Sequence, residues 1–197
     1  MDLVAGRHCG QCSVCCVVLN IDSKEFQKFP GLPCAYLRQG KGCAIHDTVF
    51  PTCRHYYCAW RHLAAFGEDW RPDKSGVLID FQTDELPDAY PKRPGIRFMI
   101  VGPVETMFRR SFLEAVRSLL AAEVPVVLAV PGPPKHFPAK VFLNDLLAGP
   151  VRAGDFAQIE AVFRELAAGL AGHRFNPVEH VNLPPHNLPD PSSPGVK

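Results

Sequence analysis

The sequence predicts an α+β or small α/β fold: a body containing a βαβ unit and a C-terminal helix, preceded by a cysteine-rich module. Three observations predict it. All eight cysteines lie between Cys9 and Cys58, and none follows. Beyond them, the apolar runs VLIDF, IRFMIV and VVLAV enclose a helix-patterned stretch, so that strand, helix and strand succeed one another. Behind Asp155, apolar residues recur at helical spacing to Leu170.

The elements follow in order. Asp22 and Ser23 stand before KEFQKF and predict a short helix capped by one of them and ended by Pro30-Gly31. Gln39-Gly40-Lys41-Gly42 reads as a hairpin turn returning Cys34 towards Cys43. Trp60 to Pro72 is a packing segment joining the module to the body, and Asp73 to Gly76 a turn. Strands are expected from Gly76 through VLIDF, over Ile96–Val101 and over Val126–Val130. The helix between the last two spans Val104 to Ala122, with Met107, Phe108, Phe112, Val116, Leu119 and Leu120 on one face. A right-handed crossover joins those strands. Lys140 to Leu143 is an edge-strand candidate. From Asn176 the prolines crowd, and an extended or disordered tail is expected. The organisation is therefore a cysteine module over 9–61, an α/β body over 62–172 and a proline-rich tail over 173–197.

Composition narrows the function. A chain of 197 residues that is 47% apolar and 21% charged can bury one ordinary core and a small satellite. Its net charge of +1, with basic residues scattered, gives no support to nucleic-acid binding. The opening MDLVAGRHCGQC lacks the apolar core of a secretory signal, and the longest apolar run is interrupted by Pro125, so no membrane partner and a cytoplasmic location are expected.

The cysteines carry the chemistry. They run Cys9-x2-Cys12-x2-Cys15-Cys16, then Cys34, Cys43, Cys53 and Cys58. Two intervening residues make a turn tight enough to bring two thiolates to one soft cation, which predicts a metal site. In a reducing compartment such dense thiols read as ligands rather than bridges. Were the first run helical throughout, roughly 100° per residue would put Cys9, Cys12 and Cys16 on one stripe with Cys15 further round. Were it a loop, it would match the three-thiolate loop of an iron–sulfur cubane. Adjacent Cys15 and Cys16 cannot serve one ion alike, so one of them binds a second centre or fills core. Cys53-x4-Cys58 fits one side of a helix.

Three thiols from one loop with a distant fourth point to an iron–sulfur cluster; eight sulfurs in two tetrahedral sets point to zinc. His46 and His55 lie inside the array as further candidate ligands. Arg7, Arg38, Lys41, Arg54 and Arg61 are near enough in sequence to offset thiolate charge.

This array, with Leu-Pro-Cys-x-Tyr-Leu, Gly-Cys-x-Ile-His and Pro-x-x-Cys-Arg-x-x-x-Cys after it, resembles the CxxCxxCC cysteine-cluster family of YkgJ type, described as chelating zinc or iron. The resemblance covers about residues 9–61 and implies all eight cysteines as the metal-binding set. His46 stands where that family commonly has Tyr, and Phe50-Pro51 where Arg-Pro is usual. The first adds a candidate ligand and the second removes a cation.

The expected function is metal binding, with an iron–sulfur cluster or zinc in a structural or sensory role. The alternatives are an enzyme for redox or group transfer, such as protein methylation, supported by the cluster, and a zinc-stabilised module that docks a protein partner. No catalytic residue is singled out.

Overall fold

A computed structural model describes residues 2–38, 40, 42–88, 90, 94–170 and 172–179. The front segment holds short elements: α1 (Val14–Val18), the strands β1 (Ile21–Asp22), β2 (Gln27–Lys28), β3 (Leu37–Arg38) and β4 (Gly42–Cys43), then α2 (Pro51–Arg54). The body follows as α3 (Pro72–Ser75), β5 (Val77–Gln82), β6 (Gly95–Ile100), α4 (Arg110–Ala121), β7 (Val126–Val130), β8 (Ala139–Phe142), α5 (Leu143–Ala153) and α6 (Phe156–Leu170).

The architecture is mixed α+β. One four-stranded sheet has the order β5-β6-β7-β8, with β6 and β7 parallel and the outer pairs antiparallel. The parallel pair is joined through α4, which is the expected βαβ unit, and α6 is the expected C-terminal helix. β7 coincides with the predicted strand because VVLAV is buried almost throughout, as a central parallel strand requires.

Phe98 of β6 meets Phe112 of α4 edge to face at 5.4 Å, and Phe112 meets Phe163 of α6 at 5.5 Å, so this side of the sheet faces the helices. Alternation sends Arg97 to the other side, where Asp80 stands opposite it in register and accepts its hydrogen bond at 2.6 Å. Val14, Val18 and Leu19 pack against the main core, and Cys58, Ala59 and Trp60 belong to it. The front segment is thereby anchored to the sheet at both its ends. A second, smaller cluster holds Phe26, Tyr36 and Ile45, with Phe50 stacked on Phe26 at 4.7 Å.

Three local expectations give way. KEFQKF forms no helix: Ser23 bonds Phe26 in both directions, its Oγ accepting from the Phe26 amide at 3.1 Å, and the chain turns back as the β1–β2 hairpin. Burying Phe26 among aromatics outweighs helix propensity there. The Val104–Ala122 helix is divided, a 3-10 turn over Val104–Phe108 stopping at extended Arg109 before α4 begins. That break buries Met107 completely. Asp73 to Ser75 lie in the one-turn α3, closed by Gly76 in the left-handed conformation at φ +74. In addition α5, which carries Pro150 in its interior, was not expected from the sequence at all.

The start of the proline-rich segment is tied down: Phe137 donates its amide to Asn176, Val178 donates to Lys135, and His136 bridges Pro177. The remainder of that segment, 180–197, lies outside the described residues, as do Gln39 and Lys41 of the predicted hairpin turn. Among the described residues no helix is long and apolar enough to cross a membrane.

Candidate metal centre

The first run of cysteines is a loop that becomes a helix. Gly10 takes φ +55, the Cys12 amide donates to the Cys9 carbonyl at 2.9 Å, and α1 starts only at Val14. The single stripe of Cys9, Cys12 and Cys16 therefore does not form. Cys15 and Cys16, on one short turn of helix, turn to different neighbours.

Cys15 lies within electrostatic reach of Cys9 and Cys12, and Cys58 within reach of the same two. Cys16 keeps company with Cys34, Cys43 and Cys53, each of which feels its charge. The eight thiols thus fall into two neighbourhoods of four, Cys9/Cys12/Cys15/Cys58 and Cys16/Cys34/Cys43/Cys53, touching where Cys15 meets Cys16. Cys53 and Cys58 do not share a side of a helix: α2 ends at Arg54, and the two residues go to different sets. All eight are free thiols. Among the described residues no three cysteine, histidine, aspartate or glutamate side chains meet at a point that could hold an ion as they stand.

Different parts of the fold build the two sets. The first is spread between the Cys9–Ser13 loop and Cys58 in the main core, so it joins the front of the chain to the sheet. The second has its own frame. The Cys34 amide donates to the Cys16 carbonyl at 3.0 Å, Cys43 pairs across β3–β4 with Leu37, and Cys34, Cys43 and Cys53 pack on the Phe26/Tyr36/Ile45 cluster.

Burial favours the thiol form at five of these sulfurs, Cys12, Cys34, Cys43, Cys53 and Cys58. It pushes Cys53 up to about 11, helped by the charges of Cys34, Cys16 and Cys43, and Cys58 up to about 11, helped by Cys9 and Cys12. Cys12, Cys34 and Cys43 shift the same way, with burial the main cause. Contact between Cys15 and Cys16 raises the first and lowers the second.

Each set has one buried cation. Lys28 is 6% exposed, and its ammonium donates to the carbonyls of Val17, Phe29 and Leu32, each at 2.9 Å. Among the described residues no carboxylate pairs with it; burial disfavours its charge, and Cys34, Cys16, Cys15 and Cys53 lie close enough to favour it once they are thiolates. Arg61 is 9% exposed, with a guanidinium nitrogen 3.6 Å from the Cys9 sulfur and its charge over the Tyr57 ring.

The other candidate cations do different work. Arg7 donates to the carbonyls of Trp60, Leu63, Ala64 and Phe66 and lies over the Trp60 ring, which pins the chain two residues before Cys9. Arg38 and Arg54 are exposed, as are His46 and His55, and Lys41 is outside the described residues.

Sequence reasoning missed Lys28, whose only signal was its place between Phe26 and Phe29. It also missed the polar cluster behind the first set. Tyr56 feels the charges of Asp80, Cys15 and Cys58, and Asp80 is held by Arg97.

Two sets of four soft donors, each beside a buried cation, suit a centre whose net charge is negative. Four thiolates around a zinc ion or an iron–sulfur cubane have that property. No family model matches the chain, and the searches of curated proteins and of solved structures find no match to it either.

Proposed function

We propose that this chain is a metal-binding protein whose eight cysteines form two four-thiolate centres, each taking zinc or an iron–sulfur cluster, in a structural or sensory role. The observation that carries the reading is Lys28 beside the second set. A buried ammonium whose hydrogen-bond partners are all neutral carbonyls needs negative charge close by. The sulfurs around it supply that charge only as thiolates: contact with Cys15 and the nearby Lys28 lower Cys16 to about 7, while burial opposes ionisation of Cys34, Cys43 and Cys53 unless a cation binds them. Metal binding satisfies the lysine and the thiols together.

The energies are compatible. Ionising Cys58 from about 11 instead of 9.0 costs an extra ~3 kcal/mol. A structural zinc site releases about 10–16 kcal/mol at neutral pH. Four thiolates close the coordination shell and leave no open position for a substrate, which favours a structural or sensory centre over a catalytic one. Thiolate centres of this kind also belong in a reducing compartment, so the reading places the protein in the cytosol. It agrees with the CxxCxxCC resemblance over residues 9–61.

Metal and sulfide analysis of protein purified without oxygen tests it. Two zinc ions per chain in colourless protein identify zinc; iron, sulfide and absorbance near 400 nm identify iron–sulfur. Cys12→Ser is expected to remove one centre and Cys34→Ser the other. Metal-free wild type, or full metal content in both variants, defeats the proposal.

A further inference from the structure

A cavity of about 350 Å³ opens in front of the first turn of α4. Its volume is in the range of small-molecule sites. Trp70, Val77 and Phe112 give it apolar walls, while Lys74, Arg109 and Ser111 bring polar groups to it.

α4 begins there without a cap. Arg109 occupies the N-cap position and makes no capping bond, and among the described residues the amides of Arg110, Ser111 and Phe112 have no protein acceptor. A helix of 12 residues presents about half a positive charge at such an end.

A second observation is independent of the helix. Thr106 lines the same cavity and is 1% exposed, yet its hydroxyl has no hydrogen-bond partner. A buried hydroxyl left unpaired is unfavourable, and a ligand oxygen that bonds it relieves that.

The charges select the sign of the ligand. Lys74 is already paired with Glu68 at 3.0 Å, and Asp69 stands at the rim. Arg109 has a carbonyl partner, Ser75, at 2.9 Å but no carboxylate, so its charge is uncompensated among the described residues. Gly76 and Gly102 approach closely beside Thr106: a Cβ on Gly102 would lie 2.9 Å from the Gly76 Cα and 3.4 Å from the Thr106 hydroxyl.

We infer that this cavity binds a small organic oxyanion, a phosphoryl or carboxylate head on an aromatic or aliphatic body. The head sits on the free amides of α4, the Thr106 hydroxyl and Arg109, and the body lies against Trp70 and Phe112. The lining contains no cysteine, so the site does not depend on the metal reading.

Titration of the full chain with phenyl phosphate, benzoate and uncharged benzyl alcohol tests the inference, read by tryptophan fluorescence and by the amide NMR shifts of Arg110, Ser111 and Phe112. The expected result is saturable binding of at least one anion, with shifts at those three amides and no response to benzyl alcohol. Phenyl phosphate binding alone identifies a phosphoryl head, and benzoate alone a carboxylate. Arg109→Gln, on the surface, is expected to weaken binding at least tenfold, and Thr106→Val to weaken it while Thr106→Ser preserves it. No saturable response to either anion, an equal response to benzyl alcohol, or unchanged affinity in Arg109→Gln overturns it.

Discussion

Cys34 donates its backbone amide to the carbonyl of Cys16 at 3.0 Å, across a loop and a hairpin. Main chain therefore brings the second thiol set near its shape, and the sulfurs need only close on an ion. Cys34→Ser keeps this bond. Its expected outcome is a folded protein that has lost the metal of that set alone, checked by metal content beside far-UV circular dichroism.

Lys28→Met keeps the bulk of the side chain and removes its charge. Three carbonyls lose their donor, so stability is expected to fall by about 2–4 kcal/mol. The second set should also yield its metal to a chelator sooner than the first. Urea unfolding and chelator competition measure the two effects separately.

Arg7→Ala releases the carbonyls of Trp60, Leu63, Ala64 and Phe66 together with the contact to the Trp60 ring. A loss of about 2–4 kcal/mol is expected. Metal release should quicken at the first set, because Cys9 lies just beyond the latch. Arg7→Lys, which cannot reach four acceptors with a planar fork, should fall between the two. Release rates against a chromogenic chelator decide it.

Asp80 gives a pH signature. Burial raises its carboxyl above the ordinary 3.8, and Arg97 opposes the shift. A folded-state value above the unfolded one means that the group's stabilising contribution is complete below 3.8 and is lost as pH rises through the raised value. The stability of wild type relative to Asp80→Asn is therefore expected to decline across that window and to level off above it. Urea unfolding of both proteins from pH 3 to 7 checks the sign.

Two glycines should respond oppositely. Gly102→Ala puts a methyl group 2.9 Å from the Gly76 Cα, at an expected cost of about 1–3 kcal/mol. Gly149→Ala, inside α5 with nothing within 4 Å of its Cβ position, is expected to stabilise by about 0.5–1 kcal/mol. Thermal unfolding compares them.

What the sequence made legible follows from which forces are local. VVLAV announces a buried strand by its unbroken apolar run and IRFMIV by a run broken only at Arg97, and Asp155 announces α6 by capping it, its carboxylate accepting from the Gln158 amide at 2.9 Å. The hairpin at Ser23 was illegible because the side chain that caps a helix also closes a turn, and the choice lay with the distant aromatics Tyr36 and Phe50. α5 was hidden because Pro150 sits in it and is buried by tertiary contacts. Spacing marked the eight cysteines as one array. It gave no means of dividing them, since the division depends on where α1 begins and on Cys58 entering the main core.

α1 is five residues long and carries Cys15 and Cys16 side by side. Consecutive Cα atoms are about 3.8 Å apart, so a single peptide link yokes the two neighbourhoods of sulfur. Inserting one residue between them would leave the other six thiols where they are and still throw one quartet out of step. A displacement that begins in either quartet has a path of one planar peptide unit into its twin.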